Sequence, residues 1–121
     1  KTEKFYMLCL DAKSTVIKLV KLSSGIPQEV RVDVRDVVDN ALKYKAVSVV
    51  VAHNHPSGDV SPSVQDVELT RAIAAALQLI KIKLADHYIF SDFGYCSFVE
   101  DGVGGQIQQN VNNFLKDGIK Y

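Results

Sequence analysis

The feature that most limits the fold of this chain is a short apolar segment that ends in polar residues. Residues 46–53 read AVSVVVAH, a run rich in β-branched side chains that is too short for a stable helix. Because apolar side chains fall on both of its faces, the run is typical of an interior strand in a sheet covered by helices. A polar loop with two prolines and a glycine follows at 54–62, and Ser63 is then predicted to cap a helix that runs to about residue 80.

The patterns on either side of this segment predict one α/β domain. In chain order the further predicted elements are strands at 5–10 and 15–22, a helix from Asp33 to about residue 45, strands at 84–91 and 94–99, and a helix at 106–116. A break is expected at 23–27, and Gly102, Gly104 and Gly105 are expected to loosen the chain before the last helix. Helices interspersed among strands favour one sheet flanked by helices, and the two hairpins require that sheet to be mixed.

Composition limits the classes of function. Lys and Arg number 14 and Asp and Glu number 14, so the formal net charge is zero and the basic signature of an autonomous nucleic-acid-binding domain is absent. No apolar stretch reaches the roughly 18 residues of a membrane span, and no membrane partner is expected. Cys9 and Cys96 lie in apolar runs outside any CxxC pair, which indicates a reducing compartment such as the cytoplasm.

The length of 121 residues fits a single domain spanning residues 1–121. The chain opens on Lys1, without a Met, almost directly before its first apolar run. We therefore expect it to be a domain of a longer protein or a processed chain. The sequence makes no prediction about the oligomeric state.

Three residues near the end of the central strand have the chemistry of a metal site. His53 and His55 are two positions apart, so a strand directs both imidazoles to the same face. Asp66 lies in the first turn of the next helix, and the intervening loop can bring its carboxylate beside them. Two neutral imidazoles and one carboxylate form a catalytic zinc set with a fourth position for water. The structural alternative is a hydrogen-bonded histidine pair, with Asp66 as part of a capping box begun by Ser63.

The stretch from His53 to Asp66, HNHPSGDVSPSVQD, resembles the HxHP…SxxD signature (JAMM motif) of JAB/MPN metalloprotease-like domains. Its extended form, HNHPSG followed by PSxxDxxxT and completed by Thr70, is similar to the RadC family in particular. Leu10-Asp11 after the first strand and the later segment DHYI at 86–89 agree with it. The resemblance covers about residues 3–102. It implies a cytidine-deaminase-like α-β-α sandwich with a mixed sheet flanked by helices.

The resemblance also implies an activity. His53, His55 and Asp66 would bind zinc, and Ser63 would donate a hydrogen bond to a developing oxyanion. The reaction would be hydrolysis of a peptide or isopeptide amide, for which zinc supplies a bound water of lowered pKa.

A glutamate on the first strand of the family is hydrogen-bonded to the water on the metal. Glu3, just before the first apolar run, is the best match here, and Glu29 is the second candidate. As the catalytic base, this carboxylate would take a proton from the water and give it to the leaving amine. The structural alternative for Glu3 is a solvated residue at the end of a strand.

A second function comes from the same resemblance. Proteins similar to RadC are associated with DNA repair and commonly have a helix-hairpin-helix segment before this domain. On this interpretation the domain is a non-catalytic accessory or interaction module, and DNA is a partner only indirectly, through an N-terminal segment that the sequence lacks. The two functions do not exclude each other. A scaffold that has lost activity is disfavoured because the motif residues are intact.

Four other polar residues receive structural interpretations. His87 is expected to be structural, because three protein ligands and a water complete the zinc set. Asp59 is expected to solubilise the loop, and Asp86 to orient His87 or to begin a strand. Thr70 either supports Asp66 from the next helical turn or bonds back to its own helix.

Overall fold

A computed structural model describes residues 3–22 and 32–117. Over these residues the chain forms a five-stranded sheet and three helices. In chain order the elements are β1 (Phe5–Leu10), β2 (Val16–Lys21), α1 (Val34–Lys43), β3 (Ser48–Asn54), α2 (Val64–Leu79), β4 (Lys83–Ser91), β5 (Gly94–Ser97) and α3 (Val103–Asp117). The break predicted at 23–27 lies outside the described residues.

The sheet is mixed, with strand order β2-β1-β3-β4-β5. β1 pairs antiparallel with β2 and with β3, β3 pairs parallel with β4, and β4 pairs antiparallel with β5. The α/β class, the mixed sheet with flanking helices, the two hairpins and the interior position of β3 are therefore confirmed. None of the helices described is long and apolar enough to cross a membrane.

The core lies on one face of the sheet. Val49, Val51 and His53 of β3 are buried on this face and alternate with half-buried residues on the other. One apolar cluster joins β1 and β3 to α1 and α2, and a second joins β4 and β5 to α2 and α3. Because the buried members of neighbouring strands are in register, the three helices form a single layer on this face. The described residues thus contain one helical layer of the expected sandwich.

Both predicted helix caps are confirmed. The Asp33 carboxylate accepts a hydrogen bond from the backbone N–H of Arg35 at 2.9 Å, and the Ser63 hydroxyl accepts one from Asp66 at 3.0 Å. Each cap satisfies a backbone donor that has no partner inside its helix. The Ser63 cap places the first turn of α2 directly after the loop that leaves β3.

The start of α3 corrects one prediction. Gly104 and Gly105 lie inside a helix that begins at Val103, rather than in a loosened segment before residue 106. The N–H of Gly104 donates to the carbonyl of Phe98 at 2.7 Å, and a Cβ on Gly104 would lie 3.3 Å from that carbonyl oxygen. The absence of a side chain therefore lets the helix approach the backbone closely.

Candidate metal centre

The candidate site lies where β3 ends and α2 begins. His53 is buried near the end of β3, and His55 follows the strand; their ring centroids are 4.8 Å apart. β1 runs antiparallel beside β3 and pairs Phe5 with His53. The Phe5 ring stacks on the imidazole of His53 with a centroid distance of 5.5 Å and an interplanar angle of 10°. This stacking fixes the plane of the buried imidazole.

Three donor groups converge at this point. Nε2 of His53 lies 3.0 Å from Nε2 of His55. Oδ1 of Asp66 lies 3.2 Å from the first nitrogen, and Oδ2 lies 3.3 Å from the second. A tetrahedral zinc with bonds of about 2.0–2.1 Å separates its ligand atoms by about 3.3 Å. The two nitrogens, and each nitrogen with its nearer carboxylate oxygen, are therefore separated as two ligand atoms of one zinc ion would be.

The protonation of His55 follows from a backbone contact. Its Nδ1 lies 2.7 Å from the carbonyl oxygen of Asp59, which only accepts hydrogen bonds. Nδ1 therefore carries a proton, and in this tautomer the lone pair of Nε2 faces His53 and Asp66. Asp59 therefore does more than solubilise the loop, because its carbonyl oxygen contacts His55. The sequence does not indicate this contact, because every residue has a backbone carbonyl and its partner does not depend on the residue type.

The carboxylate of Asp66 is held in its charged form. Its partial burial disfavours the charge, but the contacts of the carboxylate with His53 and with the backbone N–H of Ser63 outweigh the burial. The pKa of Asp66 consequently lies well below its usual range. At neutral pH the group is an anion, which is the form that binds a divalent cation.

Glu3 contributes a second carboxylate to the same place. One ligand atom from each of Glu3, His53 and His55 lies within 4.8 Å of the others. This group of described residues includes neither Asp66 nor Glu100, and Glu29 lies outside the described residues. The position of Glu3 is suited to a group that exchanges a proton with a water at the site, and this role stays a prediction.

Ser63 is joined to the site through Asp66. The serine hydroxyl accepts the N–H of Asp66, while Oδ2 of Asp66 accepts the N–H of Ser63 at 2.8 Å. This reciprocal arrangement is a capping box, so the structural role foreseen for both residues is present. The hydroxyl hydrogen of Ser63 is free of the cap, and its catalytic role stays a prediction.

His87 and Thr70 complete the buried side of the site. Nε2 of His87 lies 2.8 Å from Nδ1 of His53, and its Nδ1 lies 2.6 Å from the Thr70 hydroxyl. That hydroxyl is also 2.6 Å from the carbonyl oxygen of Asp66. Thr70 thus bonds back to its own helix and also supports the site. Burial, and then the charge of His53, lower the pKa of His87 to about 3, so its ring is neutral.

Asp86 does not begin a strand, and it contacts His87 through the backbone rather than through the imidazole. β4 begins at Lys83, before Asp86, and the imidazole of His87 bonds to other groups. The Asp86 carboxylate instead accepts the backbone N–H of His87 at 2.7 Å and the hydroxyl of Ser97 at 2.6 Å. It therefore ties β4 to β5 and contributes no group to the site.

The fold and the site define a JAB-type domain: a mixed sheet whose central strand ends in an HxH pair, followed by a helix with an aspartate in its first turn. The family model described as RadC-like JAB domain matches residues 1–103. The chain belongs to this family, as its histidine-rich motif indicated.

The curated relatives carry the family designation UPF0758. One from Pelobacter propionicus is 41% identical over 101 residues, which are 84% of this chain and 44% of the relative. One from Acinetobacter baumannii is 42% identical over 100 residues, 83% of this chain and 43% of the relative. One from Porphyromonas gingivalis is 38% identical over 102 residues, 84% of this chain and 45% of the relative. The chain spans less than half the length of these relatives.

Proposed function

We propose that this domain is a zinc-dependent hydrolase that cleaves peptide or isopeptide amide bonds. The observation that carries the proposal is the convergence of His53, His55 and Asp66, whose donor atoms are 3.0–3.3 Å apart. Two imidazoles and one carboxylate are typical of catalytic zinc sites, which keep one position open. JAB domains are often metal-dependent hydrolases, and membership in this family supports the same activity.

Each residue of the site has a task in this reaction. Zinc bound at the site would supply a water of lowered pKa and would polarise a carbonyl group. The Glu3 carboxylate would accept the proton of the attacking water and pass it to the leaving amine. The Ser63 hydroxyl accepts from the helix, so its hydrogen would donate to the carbonyl oxygen as charge develops there. His55 and Asp66 would hold the metal, together with His53.

We further propose that the domain acts in the cytoplasm and contacts DNA only through other parts of a longer protein. Both cysteines, Cys9 and Cys96, are buried and unpaired, which suits a reducing compartment. With a net charge of zero, the domain as a whole has no net electrostatic attraction for a nucleic-acid backbone.

Hydrolysis by the zinc-loaded protein tests the proposal. The probes are a pool of internally quenched peptides of mixed sequence and a peptide with a second chain attached to a lysine Nε. We expect cleavage that a chelator abolishes and added zinc restores, and no cleavage by His55→Ala. Asp59→Asn is the matched control, because it changes a side chain of the same loop and keeps the carbonyl that His55 contacts. A zinc-loaded wild-type protein that cleaves neither probe would contradict the hydrolase and favour the non-catalytic accessory module.

A further inference from the structure

A chain of three hydrogen bonds leads from His53 to the backbone of α2. It passes from Nδ1 of His53 to Nε2 of His87 over 2.8 Å, and from Nδ1 of His87 to the Thr70 hydroxyl over 2.6 Å. The same hydroxyl lies 2.6 Å from the carbonyl oxygen of Asp66. From this chain we propose that Thr70 and His87 are positioning residues that keep Nε2 of His53 unprotonated and directed at the metal. The inference rests on the metal centre proposed above.

The positions of the hydrogens follow from the end of the chain. The carbonyl of Asp66 only accepts, so the Thr70 hydroxyl donates to it. The oxygen of Thr70 then accepts the Nδ1–H of His87, whose Nε2 keeps a lone pair. This lone pair accepts the Nδ1–H of His53, and Nε2 of His53 is left without a proton. In this arrangement every donor of the chain has an acceptor, and the ligand nitrogen is ready to bind a cation.

In the reverse arrangement every donor also has an acceptor, but a proton occupies the nitrogen of His53 that would bind the metal. If the Thr70 hydroxyl donates to Nδ1 of His87, then Nε2 of His87 donates to His53, and the proton of His53 lies on Nε2. That proton faces Nε2 of His55 and the carboxylate of Asp66, at 3.0 and 3.2 Å. The two arrangements hold the same number of protons. Only the first offers the lone pair of His53 to a cation, so metal binding would favour the first arrangement.

Aromatic packing restricts the rotation of both imidazoles. The ring of Phe98 stacks on His87 at 4.5 Å and 18°, and Phe5 stacks on His53 at 5.5 Å and 10°. Thr70, His53 and His87 are each no more than 3% exposed. Neither imidazole is free to turn, and bulk water does not reach the chain to replace a lost hydrogen bond.

Thr70→Val tests the inference, because valine has a similar shape and lacks the hydroxyl. In the zinc-bound protein, this substitution leaves the buried Nδ1–H of His87 without an acceptor. The metal-free protein avoids this cost by adopting the reverse arrangement, in which the proton of His87 lies on Nε2. We expect zinc affinity, measured by competition with a zinc indicator, to fall about 10- to 100-fold. Thr70→Ser keeps the hydroxyl and should restore the affinity. In the zinc-loaded wild type, nitrogen NMR should find the proton of His87 on Nδ1.

A purely structural role for Thr70 predicts a different result. Thr70→Val would then lower thermal stability equally with and without zinc and leave zinc affinity unchanged, which would overturn the inference alone. A proton on Nε2 of His87 in the zinc-loaded wild type would also overturn it. Failure of the wild-type chain to bind zinc would overturn the metal centre, and this inference with it.

Discussion

Ser63 and Asp66 bind each other through a reciprocal pair of hydrogen bonds, of 3.0 Å from the Asp66 amide to the serine hydroxyl and 2.8 Å from the Ser63 amide to the aspartate carboxylate. The same carboxylate lies 3.2 Å from Nε2 of His53. The cap that starts α2 therefore also positions a proposed metal ligand. A substitution at Ser63 therefore affects both the stability of the helix and the proposed catalysis, and the two effects can be measured separately.

Ser63→Ala should lower the free energy of unfolding by about 1 kcal/mol, because the helix loses its N-cap hydroxyl. Zinc content should not change, since Asp66 keeps its carboxylate. The rate of zinc-dependent hydrolysis should fall by about 100-fold or more, the usual effect of removing one oxyanion donor. Urea unfolding, metal analysis and the quenched-peptide assay measure the three quantities. Ser63→Thr, which keeps a hydroxyl, is the control, and a rate loss no larger than the stability loss would leave only the capping role.

Glu3→Gln should separate metal binding from catalysis. The amide has almost the same shape but cannot take a proton from water, so hydrolysis should fall by about 100- to 10,000-fold while zinc content stays the same. Glu100→Gln is the matched control, because Glu100 contacts Tyr95 and is not part of the cluster around the histidines. Equal rates for Glu3→Gln and the wild type would exclude Glu3 as the general base.

The stability of the metal-free protein should fall as the pH decreases. The pKa of His87 is about 3 in the folded chain and about 6.5 when unfolded, so the unfolded state binds more protons between these values. The contribution of His87 to the free energy of unfolding is fully present above about pH 6.5. As the pH falls toward 3, this contribution decreases by up to about 1.4 kcal/mol per pH unit. The lowered pKa of Asp66 adds a loss below about pH 4, where the unfolded carboxylate becomes protonated.

Urea unfolding with a chelator present, from about pH 7 to about pH 4, measures this slope. His87→Gln removes the titrating ring and keeps polar groups at the site, so its slope should be smaller than that of the wild type. Identical slopes would show that His87 is not the source of the pH dependence.

The domain should bind duplex DNA only weakly. With 14 basic and 14 acidic residues, few counterions are released on contact, and this release supplies most non-specific affinity. A fluorescence titration at low salt should find no tight complex. Tight binding that weakens steeply with added salt would contradict the indirect role in DNA contact.

The local features of the fold could be predicted because their signals are local. The β-branched run before His53 identifies β3, and the side chains of Asp33 and Ser63 identify two helix starts, since a cap depends only on neighbouring residues. The two-residue spacing of His53 and His55 likewise predicts that both imidazoles lie on the same face of the strand. The structure places their Nε2 atoms 3.0 Å apart.

The remaining features depend on contacts between distant segments. His87 meets His53 because β3 and β4 pair in parallel with Val51 opposite His87, a register that residue types do not reveal. Gly104 is helical because tight packing against Phe98 outweighs its low helix propensity. The contact of His87 with His53 and the start of α3 could therefore not be predicted from local patterns, whereas the supporting role of Thr70 could.

The zinc content of the purified chain tests the central claim most directly. Wild-type protein dialysed against zinc and then against metal-free buffer should retain about one zinc per chain, as expected for one site with three protein ligands. His53→Ala should retain almost none, because it removes a ligand atom, while Glu100→Gln should match the wild type. Wild-type protein without bound zinc, or His53→Ala with the full amount, would contradict a metal centre formed by His53, His55 and Asp66.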